Sequence, residues 1–414
     1  MNAGVYDMKK EKTDVFFLIL FLTVLAHLTY VFVMKELAYQ FSDYNGHVYV
    51  YLPNFLKRDT LLDAWKMVPY CAYHVVTLLF YKLALIPLDV SAAYAAILFA
   101  MFSYLAFYWI LQRFSVTAKL ENGSFKNMAL AFCLCIVQPI NGYWMDAAPY
   151  SMNPLYNPTY MCARGFSILC FFLLCDIFGK QKNDNYRGYF FRVEEGLTKH
   201  YVLLGILLFF SAMAKPTFAE MLIPAVAFTM LAEWIFRIFR KNGTAKPYFQ
   251  HCLFMLLCAL PTLLYIFLQF AAYFLFGGSY GDGGSLTITK FLEVWSVYSQ
   301  NVVLALALSL AFPLFMILLD PASFLTSEAG RLSLACLLIS FLEAAFLGES
   351  GPKLLHFDFI WPLMSAMLLL FTVSTLRLLS LESHRAATLS RRILLGIAWF
   401  LFALHALAGL QILL

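Results

Sequence analysis

Four short polar stretches, each set against long apolar runs, carry the residues able to do chemistry. The first, Phe41-Ser42-Asp43-Tyr44-Asn45-Gly46-His47, spaces a carboxylate and an imidazole four residues apart, which one helical turn puts on a single face. There Asp43, with His47, can act as a general base that takes a proton from an attacking hydroxyl. An Asp that caps an amphipathic surface helix has the same spelling. The second stretch runs from Trp144 through Asp146, Asn153-Pro154 and Asn157-Pro158 to Tyr160, with Arg164 just inside the following run. Its two Asn-Pro steps hold the chain extended and rigid, suited to positioning a polar ligand.

The third, Ala214-Lys215-Pro216-Thr217, joins two apolar runs, with Glu220 just inside the second. Lys215 either snorkels to lipid headgroups or offers its ammonium to a phosphate oxygen. The fourth packs Glu349, Lys353, His356 and Asp358 between Gly348 and Trp361. Lys353 and His356 suit a phosphate at headgroup level, although a short loop must be polar in any case. A Gly-rich segment from Gly277 to Gly284 has no following GKS/T and is not a nucleotide cradle. It continues as an amphipathic segment through Trp295 and Tyr298, a candidate lid over a lipid-side site.

The elements that must position these residues follow from composition. Of 414 residues 62% are apolar or aromatic and 13% are charged, and the mean hydropathy is +0.75. A soluble domain carries about 25% charge, so the chain belongs in a bilayer and makes no separate aqueous domain. The net charge of +5 resides mostly in short basic loops, a topology signal rather than a nucleic-acid footprint. Nine cysteines form no CxxC or Cys/His cluster and read as small apolar fillers.

Apolar runs lie near 15–34, 92–112, 127–142, 160–178, 200–215, 217–236, 251–276, 300–319, 331–347, 359–376 and 393–413, with a weaker one at 70–88. Basic segments 1–13, 113–127, 179–200, 237–250 and 377–392 are expected in the cytoplasm, and 35–69, 143–159, 277–298 and 348–357 outside. Two runs between 69 and 113 break the parity. The expected resolution leaves 70–88 in the outer leaflet or re-entrant; the other is that 127–142 fails to span. The fold expected is an all-α polytopic transmembrane bundle of about 11 spans with juxtamembrane helices, its N-terminus cytoplasmic. Residues 1–414 form one membrane domain, with 1–275 as a catalytic-module-like part and 276–414 as C-terminal helices.

A first span followed at once by an outer Asp loop, a second acidic loop and a late interfacial loop resembles the GT-C superfamily of integral membrane glycosyltransferases. The closer likeness is to small bacterial members with an Asn-Pro-Thr loop, here Asn157-Pro158-Thr159. These also carry a late Glu-x-Gly-Pro-(basic)-x-x-His-x-(polar)-Phe-x-Trp loop, here Glu349 to Trp361. The resemblance implies inverting transfer of a sugar from a polyprenyl-phosphate donor to a glycan, lipid or protein acceptor, on the extracytoplasmic face of the plasma membrane. By position Asp43 would be the catalytic carboxylate, and Asp146, with Asn157, would bind acceptor or metal. Lys353, helped by His356, Lys215 or Arg164, would hold the donor phosphate, with Glu349 and Asp358 beside them. The first loop lacks an Asp-Glu or Asp-x-Asp pair, which leaves a divalent cation, Mg or Mn, open as cofactor. Competing classes are a carrier or lipid-linked-glycan flippase using Glu220 and Glu343, and a polysaccharide polymerase or ligase.

Overall fold

The computed structural model describes residues 2–40, 42–57, 70–120, 123–140, 157–183, 185–193, 196–240, 244–271, 286–299, 301–351, 354, 359–383 and 388–414. Helix α1 (Asn2–Ala38) leads to a short α2 (Asp43–Asn45), a π-helical turn (Gly46–Tyr51) and α3 (Leu52–Leu56). Then come α4 (Ala72–Leu83), α5 (Leu88–Thr117), α6 (Ser124–Ile136), α7 (Pro158–Lys182), α8 (Thr198–Ala214), α9 (Thr217–Arg240) and α10 (Ala245–Phe270). Strand β1 (Leu286–Ile288) precedes α11 (Glu293–Tyr298), α12 (Val302–Ser309), α13 (Ala311–Leu319), α14 (Pro321–Thr326) and α15 (Glu328–Phe346). Strand β2 (Leu347–Glu349), α16 (Ile360–Ser383) and α17 (Leu389–Leu413) complete the described chain.

Among the described residues eight helices are long and apolar enough to cross a bilayer, or nine if α12 and α13, bent by 70°, count as one span. Two shorter apolar helices, α6 and α8, accompany them. The chain is thus a polytopic, all-α membrane protein. Apolar runs become helices because lipid offers no hydrogen bonds, so each backbone amide must be satisfied within its own segment. The spelling of the breaks sets the ends. Asn157 caps α7 with Pro158 in its first turn, and Ser327 and Thr388 cap α15 and α17.

Helices α7 and α16 form the centre, with 89% of each span buried, whereas α10 has 11% buried and faces lipid. Water exclusion does not drive helices together inside a membrane, so close packing and polar contacts must. The central helices accordingly carry small and hydroxyl residues, including Ala163, Gly165, Ser167, Thr372 and Ser374. Ser167 Oγ and Ser211 Oγ, on α7 and α8, are 2.9 Å apart.

Contacts fix the helix directions. Phe21 in mid-α1 meets Tyr104 of α5 and Phe125 at the start of α6. Further along α1, Phe32 meets Tyr44, whose ring touches Tyr73, and Tyr73 donates to the carbonyl of Ala92 near the start of α5. Helices α1 and α5 therefore run in opposite directions. Helix α4 is 12 residues long, about 18 Å against a core of about 30 Å. Tyr73 and Phe80, near its two ends, both touch the first turns of α5, so it lies across one end of the bundle. The run at 70–88 is thus too short as a helix to cross.

Helix α6, of 13 residues, stops inside the bundle. Its end is closed by groups from two other helices. Arg164 of α7 donates Nη1 to the carbonyl of Cys135 at 2.9 Å and Nη2 to that of Leu134. His405 of α17 pairs its Nδ1 with the carbonyl of Gln138, whose own N–H donates to the His405 carbonyl at 3.0 Å. Unwound backbone at membrane depth requires such protein partners. Gly409 makes the approach sterically feasible, since a Cβ there would sit 1.4 Å from the Ile136 oxygen.

The stretch expected to run as an amphipathic lid is otherwise built. The Gly-rich part lies outside the described residues. Leu286–Ile288 pairs antiparallel with Leu347–Glu349, joining the stretch to the late loop, and of its described residues only Glu293–Tyr298 are helical.

Candidate functional site

The end of the bundle where α1 finishes gathers the polar residues. Ser42 accepts from the N–H of Asn45, starting α2 at Asp43, and donates to the carbonyl of Glu36. Asn45 donates Nδ2 to the carbonyl of Leu37 at 2.7 Å, folding this loop back on the end of α1. Tyr44 is buried against Phe32 and Tyr73 as an anchor. Asp43 is thereby held half-buried at the rim.

Asn157 links the second loop to the first. Its Oδ1 accepts from the backbone N–H of Thr159 and of Tyr160, both at 3.0 Å, and from the Thr159 hydroxyl at 2.6 Å. With the oxygen committed to the helix cap, the Nδ2 group faces outward and donates to Asp43 Oδ2 at 2.9 Å. This bond joins two stretches separated by 114 residues.

Asp43 accepts from Asn157, whereas His47 pairs with a second imidazole. The backbone passes into a π-helical turn at Gly46, with the N–H of Leu52 bonded to the carbonyl of His47. The wider turn alters the angular register, and π turns of this kind recur at functional sites. His47 is buried, and its Nδ1 lies 3.1 Å from Nε2 of His74 on α4, an N–H···N hydrogen bond. Burial pushes the His47 imidazole well below its ordinary range, and the neighbouring His74 and Lys215 push it the same way. Burial takes His74 down to about 3, against a smaller upward pull from the Tyr70 carbonyl. Both rings are neutral at pH 7.

Lys215 sits in the break between α8 and α9. The following Pro216 excludes helical geometry at the preceding residue, and Lys215 is extended, with φ −161° and ψ 128°. Its ammonium lies 4.1 Å from the ring centre of Trp361, and the residue is only 8% exposed. A lysine buried to that degree is held by specific surroundings and not by headgroups. Trp361 also packs on Tyr160, one turn into the helix that Asn157 caps.

Of the residues singled out from the sequence, Asp43 and Asn157 are thus bonded, and His47 and Lys215 lie within electrostatic reach of each other. Glu349 pairs in β2 opposite Leu286. Asp146, Lys353, His356 and Asp358 lie outside the described residues. Arg164 is buried in the bundle, its guanidinium bonded to the end of α6 and packed on Phe107, where it closes that helix. His74 and Trp361 were not among the expected site residues. The signal for His74 was an imidazole interrupting an apolar run.

Among the described residues no three His, Cys, Asp or Glu side chains converge as a metal site. The described donors do not fit Mg or Mn, because Asn157 turns its NH2 end, and not its oxygen, toward Asp43. The nine cysteines are free, five of them buried. The arrangement offers a positioned carboxylate, a neutral imidazole pair and a buried ammonium at one end of a membrane bundle. No protein-family model matches the chain, and neither the curated proteins nor the solved structures contain a match.

Proposed function

We propose that the chain is a membrane glycosyltransferase that moves a sugar from a polyprenyl-phosphate donor to a hydroxyl of a glycan, lipid or protein acceptor, with inversion. The observation that carries this reading is the bond between Asn157 and Asp43, which fixes one carboxylate oxygen at the rim where a lipid-borne substrate would arrive. The acceptor oxygen attacks the anomeric carbon while its proton passes to Asp43. The bond from that carbon to the phosphate oxygen breaks, and its electron pair leaves with the lipid phosphate. Lys215, already withdrawn from water, would stabilise the charge on that phosphate. No step is assigned to a metal.

The membrane arrangement supports the same reading. The described basic residues Lys182, Arg237, Arg331 and Arg377 lie at the end of the bundle opposite Asp43. By the charge rule the Asp43 end would be the extracytoplasmic one, which supports the reading.

Asp43→Asn tests the proposal, because it keeps the shape and removes the base. Transfer from a labelled polyprenyl-phosphate sugar in reconstituted vesicles is expected to fall by about 10²- to 10⁴-fold. Full activity in that variant would remove Asp43 as the base.

A carrier is the second reading, favoured by one observation. Glu343 of α15 has a buried carboxylate oxygen with no hydrogen-bond partner and lies within electrostatic reach of Glu220 on α9. Movement of the lipid-linked sugar without product would support the carrier; product formation supports the transferase.

A further inference from the structure

The lipid-facing side of the bundle is cut by a groove. It runs between α8, α9 and α10 with a volume of about 300 Å³, and every residue lining it is aliphatic, aromatic, Met or Cys. Its floor belongs to the bundle interior, for Leu174, Leu204, Leu208 and Met255 are all buried. Its lips do not, since Leu231, Phe249 and Leu256 are exposed. The groove therefore opens sideways, and around a membrane span the medium it opens onto is hydrocarbon. Its α9 wall extends from Leu222 to Trp234. At 1.5 Å per residue that is about 18 Å, close to the depth of one leaflet in a core of about 30 Å.

One end of the groove is polar. Trp234 and Phe249, with ring centres 5.4 Å apart, mark it where α9 finishes and α10 begins, at the end of the bundle opposite Asp43. An indole at such a level suits the boundary between headgroups and hydrocarbon. One turn before Phe249, on the same face of α10, stands Lys246. The nearby Arg237 is already engaged, with its Nε 2.8 Å from Glu233 and its guanidinium packed on Tyr248. Lys246 is exposed and, among the described residues, pairs with no carboxylate. One free ammonium thus stands at the mouth of an apolar groove one leaflet deep.

We propose that this groove holds one acyl chain of a glycerophospholipid from the leaflet opposite the Asp43 site, with the phosphodiester beside Lys246. The single charge of a diester matches the single ammonium. Water exclusion does not draw the chain in, because it is surrounded by hydrocarbon either way; close contact with the buried floor and the headgroup pairing hold it. The site is distinct from the proposed transfer chemistry and does not rest on it, since the donor phosphate of that reading lies at the other end, beside Lys215.

The test uses the full chain, freed of lipid in a mild detergent and titrated with dioleoyl phosphatidylglycerol while bound lipids are counted by native mass spectrometry. One lipid is expected to bind ahead of all others. Dihexanoyl phosphatidylglycerol, with the same headgroup and short chains, is expected to bind about tenfold more weakly; equal binding would show that the groove takes no part. Ala227→Phe, which fills the groove from its α9 wall, is expected to abolish the first binding step. Lys246→Gln, at an exposed position, is expected to weaken it about threefold, as for an exposed ion pair. This surface variant and the short-chain comparison decide the matter even where Ala227→Phe fails to fold. First-step binding that is unchanged in both variants overturns the proposal. So does displacement of the lipid by equimolar polyprenyl phosphate, which gives the groove to the donor, or a lipid-free dimer that Ala227→Phe dissociates, which gives it to a second copy.

Discussion

Two neutral imidazoles in contact, His47 and His74, tie acid sensitivity to one end of the molecule. Each has a folded-state affinity for protons below its ordinary value of 6.5, so the unfolded chain binds protons more readily. Stability is therefore complete above pH 6.5 and is lost as the pH falls from 6.5 toward the folded values. Between pH 6.5 and 5 the loss comes to about 2 kcal/mol for His74. Melting in detergent should show Tm falling over that interval, and His74→Gln should flatten the fall; an unchanged slope would mean that other groups set the acid limit. Lys215 adds to the effect by opposing protonation of His47. This pair was only half legible beforehand. His47 stood out as a polar residue beyond a span, whereas its partner, 27 residues away, depends on where α4 lies across the bundle.

At the scale of elements, local signals carried further. Apolar runs became helices close to their expected limits, Asn157-Pro158 became a capped helix start, and Lys215-Pro216 became the break between α8 and α9. Chain spelling decides these, because proline geometry and capping act within a few residues. The π turn at Gly46–Tyr51 and the closure of α6 left no such signal, since each answers to packing from distant segments. An arginine near the start of a span reads equally well as a ligand or as a clasp; only the position of the Cys135 carbonyl decides. Arg164→Met should leave two carbonyls unpaired inside the bundle and cost about 2–6 kcal/mol. Arg164→Lys should not restore the loss, because a single ammonium does not reproduce the fork. A lower melting temperature in both variants, with transfer activity of the surviving folded fraction retained, is the expected result. Loss of donor binding without loss of stability would return Arg164 to the phosphate site.

The whole molecule has two chemically unlike ends. One carries Asp43, Asn157, the imidazole pair and Lys215; the other carries Lys182, Arg237, Arg331 and Arg377. Single cysteines introduced into a background lacking the native nine should report which is which. Leu85→Cys, 86% exposed at the Asp43 end, is expected to react with an impermeant thiol reagent added outside intact cells. Lys119→Cys, in the turn after α5, should react only after permeabilisation. The reverse pattern would invert the assignment of inside and outside.

The closure of α6 also has a consequence for how the protein is made. The ring of His405 and the bare backbone of Gly409 meet a helix end synthesised some 267 residues earlier. Until α17 leaves the ribosome, that end is an unfinished joint, with its Gln138 carbonyl unpaired at membrane depth. Biogenesis thus contains a waiting period, in which the insertion machinery or bound water must shelter a helix that cannot yet settle into lipid. Arrival of α17 ends it, converting a tolerated nascent segment into a sealed bundle.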